Sequence, residues 1–228
     1  MAVENLESLT AAEVESAAND VCWLVRQATV KRKDAGPDVL AQLADDSVVE
    51  VRVQVAQHDA TPAEALERLA DTVHAKIAGR VARNKNTESS TLRDLAERWS
   101  VIRHTVALHK EVPTDLLWTM VEQGASRTIR AAVARSANVD HRVCMRAVGD
   151  SDAWVRRCLA GNEAATAESL AVLVGDDDDG VRAKLAANPN TPHDLLRQLV
   201  GDPDPKVRYA LAHNRDADAA DRVLAALL

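Results

Sequence analysis

The chain has 228 residues, 46% hydrophobic and 28% charged, with 8 Gly and 7 Pro, which excludes disordered and collagen-like polymers and fits one or two folded domains. Lys and Arg number 28 against 35 Asp and Glu, and the formal charge of -7 argues against a nucleic-acid binder that is basic over its whole surface. With no Phe, 1 Tyr and 4 Trp, the core has to be built from Leu, Val and Ala, which suits closely packed helices.

The chain opens on MAVENLESLT, acidic where a signal peptide is basic and then apolar. Thr10 with Glu13 carries a capping-box signature, so residues 1–24 are expected to add a capping helix ahead of the first repeat. No segment approaches the about 18 consecutive apolar residues that span a bilayer, so a soluble, cytoplasmic protein with no membrane partner is expected. Cys22, Cys144 and Cys158 form no C-x-x-C pair and read as reduced thiols.

From Val25 the sequence repeats. The string VRAKLAANPNTPHDLLRQLVGD from Val181 recurs as VRVQVAQHDATPAEALERLAD from Val51 and VRRCLAGNEAATAESLAVLVGD from Val155. Weaker copies begin at Val25, Ile77, Ile102 and Ile129, with a truncated one at Val207, so successive starts lie 25 to 27 residues apart. Within the copy at Val181, Val181 and Leu185 share a helix face, and Ala186 lets a neighbouring helix approach. Asn188 before Pro189 is expected to close this first helix in the left-handed conformation. Thr191, Pro192 and Asp194 read as the cap and first turn of a second helix, as do Thr61, Pro62 and Glu64. Leu196, Leu199 and Val200 form its buried stripe, and Gly201 to Pro205 stop it.

One such pair of helices has too little apolar surface to fold alone, so the repeats are expected to stack. The fold class is all-α: an α-solenoid of about seven to eight two-helix repeats of about 26 residues. Residues 25–214 hold the repeats, and residues 215–228 form a C-terminal helix, in one continuous domain. The closing Leu224, Leu227 and Leu228 are expected to cap the core or to pair with a second copy.

The pattern V-R-x-x-L-A-x-N-P-x-T-P-x-x-L-L-x-x-L, nearly complete from Val181 to Leu199, resembles the leucine-rich repeat variant family across roughly residues 25 to 215. The resemblance implies stacked short helices, some of the tighter 3₁₀ kind, in a right-handed superhelix, and it implies no catalytic residue. Related HEAT-type repeats end in Asp and place Arg after the next Val, seen here as Asp176 with Arg182 and Asp202 with Arg208. The iron–sulfur cluster that some relatives bind through N-terminal cysteines does not carry over, because Cys22 is the only cysteine before Cys144.

Function has to come from departures from the repeat. The second-position arginines Arg26, Arg52, Arg103, Arg130, Arg156, Arg182 and Arg208 read either as an anion ladder or, preferably, as partners of the preceding repeat's terminal acid or of helix-end carbonyls. Residues 73–157 hold 15 Lys/Arg against 9 Asp/Glu, so this window carries +6 and leaves -13 for the remainder. There Arg80, Arg83, His104, Arg135 and Arg157 lie off the apolar stripe of first helices and are expected on one exposed surface. Trp118 occupies a position held elsewhere by Glu67, Arg93, Ala171 and Arg197, and it reads either as an apolar patch with Met145 at the next equivalent position or as a ring buried by local twist. Trp99 and Trp154 read as junction packing.

His141, Cys144 and Cys158 have loose metal-ligand spacing, but both thiols fall at core positions. Asp176 to Asp179 before Gly180 lacks the ligand spacing of a calcium loop and reads as a solvated turn. No metal or cofactor is expected, and no phosphate loop, dinucleotide fingerprint or nucleophile elbow is present. The favoured function is a binding scaffold that holds a protein or peptide with an acidic segment on its basic, Trp-containing centre. The alternative is a nucleic-acid binder or a DNA glycosylase built on HEAT-like repeats.

Overall fold

The computed structural model describes residues 9–122 and 125–228. Residues 1–8 of the expected N-terminal cap therefore lie outside the described residues. The described residues form seventeen α-helices and one 3₁₀ turn at Ser100–Ile102, with no strand. No helix exceeds 10 residues, a length at which isolated helices do not persist in water, so packing of the apolar faces decides the structure.

The chain divides into two compact units, residues up to Glu111 and residues from Val112. The first holds α1 (Ala11–Ala18), α2 (Trp23–Val30), α3 (Pro37–Leu43), α4 (Val49–Gln57), α5 (Ala63–Ala70), α6 (Ala75–Val81), α7 (Ser89–Arg98) and α8 (Arg103–Ala107). The second holds α9 (Thr114–Glu122), α10 (Arg127–Ala134), α11 (His141–Val148), α12 (Ala153–Ala160), α13 (Ala167–Leu173), α14 (Asp179–Ala187), α15 (His193–Gln198), α16 (Pro205–His213) and α17 (Ala219–Leu227).

In each unit the helices sort into two layers by their place in the repeat. First helices pack on first helices, α2 on α4 on α6 in one unit and α10 on α12 on α14 on α16 in the other. Second helices do the same, α3 on α5 on α7 and α9 on α11 on α13. The core between the layers is the stripe read from the sequence. In the second unit Leu159, Leu170, Leu173, Val181, Leu185, Leu196 and Leu199 are fully enclosed, each such side chain contributing about 1.5–3 kcal/mol by leaving water.

The Thr10–Glu13 capping box forms as expected: Glu13 N donates to the Thr10 hydroxyl, and the Glu13 carboxylate accepts from Thr10 N at 2.7 Å. Its helix, α1, packs on α2 and α3. At the other end α17 packs on α16 through Ala225. This turn of the helix leaves Leu224, Leu227 and Leu228 exposed rather than closing the core.

Three local expectations are corrected. Asn188 has φ -73° and ψ 122°, an extended and not a left-handed conformation. Its side chain works instead as a bridge: Nδ2 donates to the carbonyls of Ala160 (2.9 Å) and Asn162 (3.0 Å) in the preceding repeat. Asn84, Asn162 and Asn214 make the same pair of bonds, one repeat apart in each case. Thr191 and Thr61 do not cap the second helices; their buried hydroxyls donate back to Leu185 O (2.7 Å) and Val55 O (2.6 Å), satisfying the ends of the first helices.

The third correction concerns the arginine column. Four of the seven guanidiniums take the carboxylate at the end of their own repeat, not that of the preceding one, while the expected bonds to carbonyls do form. Arg26–Asp46, Arg130–Asp150, Arg156–Asp176 and Arg182–Asp202 are bidentate pairs with shortest contacts of 2.6, 2.6, 2.6 and 2.7 Å. The preceding repeat supplies a carbonyl: Arg156 Nη1 donates to Asp150 O, Arg182 Nη1 to Asp176 O and Arg208 Nη1 to Asp202 O, each at 2.7 Å. Arg52 bonds Asp46 O in the same way, and Arg103 bonds Ala96 O.

The acidic run 176–179 is a turn as expected, with Asp177 exposed, but its other carboxylates are engaged. Asp176 pairs with Arg156, Asp178 with Arg157, and Asp179 with Lys206. Burial raises the carboxyls of Asp150, Asp176 and Asp202, but the arginine bonds and a following backbone amide outweigh it and hold all three below the usual carboxylate range.

Two outcomes are expected in urea denaturation. Asp176→Asn should cost about 2–3 kcal/mol at neutral pH, because a bidentate charge-assisted pair is lost in a shielded site. A carboxyl with a depressed folded-state pKa stabilises above its unfolded value of about 3.9 and ceases to do so as pH falls through the folded value. The gap between wild type and Asp176→Asn should therefore close below about pH 4, and a gap unchanged at low pH would contradict the pairing. Asn188→Ala should cost about 1–3 kcal/mol, since two enclosed carbonyls lose their donor.

Candidate interaction surface

Counting the first Val or Ile of each repeat as position one, positions three, four and seven mostly fall off the apolar stripe, with Val53, Ala131 and Ala132 as buried exceptions, and there the side chains become diverse. Arg83 and Arg135 hold position seven, just past the ends of α6 and α10, and both are exposed. Each lines a groove between consecutive first helices. In the first unit Arg83, Lys85, His104, Leu108 and Lys110 surround about 410 Å³. In the second, Arg135, Trp154, Arg157, Cys158, Gly161 and Lys184 line about 690 Å³, with Glu163 as the one acid. The two grooves occupy the same repeat positions. A depression of about 450 Å³ around Asn86, Ser89, Ser90 and Glu111 offers hydroxyls and acids instead of clustered cations.

The cations of these grooves differ in how they are engaged. Lys85 lies 3.6 Å from Asp59, and Lys110 lies 3.5 Å from Glu111. Arg157 is exposed but paired, donating Nε and Nη2 to the Asp178 carboxylate at 2.7 Å each. That bond holds Asp178 well below the usual carboxylate range and raises Arg157. Among the described residues Arg83, Arg135 and Lys184 make no ion pair. Cys158 sits beside the second groove with its thiol pushed up by burial, against the opposing influence of Arg135 and Lys184.

Of the residues singled out in the sequence, Arg83 and His104 are therefore brought together in one groove, and Arg135 and Arg157 in the other. Arg80 is half-buried at position four of α6 and does not line the first groove. Trp118 and Met145 lie on second helices, α9 and α11, and line neither groove. The Trp118 ring is half-buried rather than exposed, because the Arg142 guanidinium sits over it with its carbon 4.2 Å from the ring centre. Met145 remains 39% exposed. Trp154, in the groove, is covered on one side by Arg127 at 5.0 Å.

Sequence reasoning passed over Lys184, which shares position four with Arg80 but lies beyond the basic window. It also passed over Tyr209 and His213 on α16, whose ring centres are 4.0 Å apart. They stand at positions three and seven, the same positions as Arg157 and Gly161, and that register was the available signal. His109 is buried and engaged: Nε2 bonds Asn84 O at 2.8 Å, and Nδ1 accepts from Glu111 N.

The leucine-rich repeat variant family model matches residues 49–71 and 179–204, one stretch in each unit. A solved structure described as a leucine-rich repeat variant with a novel repetitive structural motif aligns with a TM-score of 0.55, covering 83% of this chain and 80% of that one at 24% identity. No curated protein matches the chain in sequence.

Gly180 controls whether Arg157 is engaged. A Cβ there would run into Arg157 Nε, so only hydrogen allows the guanidinium to lie across the start of α14 onto Asp178. Gly180→Ala is expected to leave the helix formed, swing Arg157 into the groove, and relax Asp178 toward an ordinary carboxylate. A titration followed by carboxylate NMR should show the Asp178 pKa rising, and an unmoved value would show that the pair tolerates the methyl group.

Proposed function

Because the chain is a leucine-rich repeat variant protein with the all-helical fold of such repeats, we propose that it is a binding scaffold without a catalytic role, each unit holding acidic peptide of a protein partner in its own first-helix groove. One observation carries this reading. All seven second-position arginines are bonded within the stack, whereas Arg83 and Arg135, at position seven, line open grooves and make no ion pair. Cations with a structural task are saturated, and the two arginines left over in the grooves share a repeat position. His104 and Arg157 flank them, and Arg157 is held in reserve by Asp178.

An acidic peptide is the matching ligand, because carboxylates on an extended chain meet guanidinium groups at spaced points without a deep cavity. The half-buried Trp118 with its Arg142 cover and the exposed Met145 belong to the other helix layer and supply a separate apolar surface on the same scaffold. No helix among the described residues is long and apolar enough to cross a membrane.

The test is fluorescence anisotropy of a labelled glutamate-rich peptide against the full-length chain, beside the same peptide with glutamine for glutamate. The acidic peptide should bind and weaken as salt rises. Arg83→Glu and Arg135→Glu should each reduce affinity about tenfold, a loss of about 1.4 kcal/mol, with unchanged helical circular dichroism. Equal binding of the glutamine peptide, or indifference to both reversals, would overturn the proposal. Tighter, reversal-sensitive binding of a labelled DNA duplex would transfer the surface to nucleic acid.

A further inference from the structure

The first-helix face of the second unit changes character along the stack. At one end Arg135 on α10 and Lys184 on α14 flank the larger groove, neither in an ion pair. The floor between them is Gly161, and a Cβ there would lie 3.5 Å from Lys184 Cδ, so the lysine stem crosses the glycine on its way to solvent. On α14 the flanking outward positions are Ala183 and Ala187, which present no more than a methyl group. On α16 the same positions carry Tyr209 and His213. Tyr209 is the single tyrosine of the chain, and it is 66% exposed with its ring tilted against His213.

No packing requirement accounts for that ring. An exposed aromatic pair leaves apolar surface in water, and truncating it would cost the core nothing. Its register does suggest a use, because α10, α12, α14 and α16 pack consecutively and Tyr209 shares its repeat position with Arg157 in the groove. Cationic groove, small-residue floor and aromatic platform thus follow one another along a single face.

We infer that this face is a docking track for one extended peptide, with acidic side chains seated at Arg135 and Lys184 and an aromatic or large apolar side chain seated on Tyr209 and His213. The inference rests on the acidic-segment reading above and adds a second anchor and a spacing. Helix axes stand about 8–10 Å apart, so three steps from α10 to α16 span about 24–30 Å. An extended chain rises about 3.3 Å per residue, which places the aromatic residue about eight positions from the acid at Arg135 and about three from the acid at Lys184. The occupant is peptide, since the groove supplies side-chain cations at wide spacing with Glu163 among them, a poor match for the close, uninterrupted phosphates of nucleic acid.

Labelled peptides with two glutamates and a tryptophan at that spacing, in both chain directions, test the track on the full-length protein. Controls replace the tryptophan with serine or move it next to the glutamates. In the better direction, the spaced tryptophan peptide should bind about tenfold more tightly than the serine peptide. Tyr209→Ala should remove that increment and leave the serine peptide's affinity unchanged, whereas Lys184→Glu should weaken both. Tyr209 is exposed, so an unchanged melting curve for Tyr209→Ala verifies that folding is not the cause.

If the serine and tryptophan peptides bind alike, or the shifted tryptophan binds as well as the spaced one, the track is wrong while the acidic-groove reading stands. If no acidic peptide binds at all, both fall. If a single-stranded oligonucleotide displaces the peptide and loses affinity equally in Tyr209→Ala, the aromatic platform serves bases and the peptide inference is overturned.

Discussion

The copies that start at Val25, Val51, Ile77, Ile129, Val155 and Val181 each end their first helix with backbone carbonyls that their own residues do not fully satisfy, and the next repeat supplies the donor. Asn162, Asn188 and Asn214 form a continuous chain in which each amide donates to the backbone carbonyl of the one before, Asn162 O accepting from Asn188 and Asn188 O from Asn214. Each Oδ1 meanwhile accepts from an amide two residues on, at Ala164, Asn190 and Asp216. A stack of such short helices depends on this, because burying unpaired carbonyls between repeats would cost about 1–3 kcal/mol each and no single repeat has a core large enough to absorb it.

Two repeats place histidine where four others place asparagine, and the ring does the same work. His58 and His109 each bond a carbonyl of the preceding repeat through Nε2, at Arg32 O and Asn84 O, and accept an amide two residues on through Nδ1. The bonding assigns the neutral tautomer with its proton on Nε2. An imidazole can stand in for the amide because both present a donor and an acceptor at fixed separation. Serine at position 136 has a shorter reach, and its hydroxyl accepts only from its own loop, at Asn138 N.

Period, layer assignment and apolar stripe were legible from the sequence because they depend on side-chain volume alone: Val181, Leu185, Leu196 and Leu199 recur where a small core needs them. What was misread involved direction. Arg182 lies close in sequence to Asp176 and far from Asp202, yet the guanidinium takes the carboxylate of Asp202 and only the carbonyl of Asp176. Periodicity cannot separate these, since the same Arg and the same Asp recur together at Arg26 and Asp46, Arg130 and Asp150, Arg156 and Asp176, and Arg182 and Asp202. Thr191 was misread for a related reason. A threonine before Pro has the composition of a helix cap, but its hydroxyl reaches back to Leu185 O. In the candidate surface, Arg83 and Arg135 could be named from their position, but whether they or Arg157 carried an uncommitted charge depended on Asp178 and on the missing side chain of Gly180.

The same bonds explain why the repeat pattern identifies an architecture and leaves the partner open. Positions one, two, five and eight and the terminal Asp are fixed by the stack: apolar side chains for the core, arginine for the carboxylate and the neighbouring carbonyl, and asparagine or histidine for the amide ladder. A change at any of them is felt by two repeats at once. Position seven carries none of these duties, and positions three and four are free of them outside the copies where Val53, Ala131 and Ala132 are buried; in this chain they range over Arg83, Arg135, Gly161, Lys184, Ala187 and Tyr209. Freedom from the stack is what allows a face to be shaped to a ligand, so recognition is expected where the repeat pattern is weakest and least informative about the family.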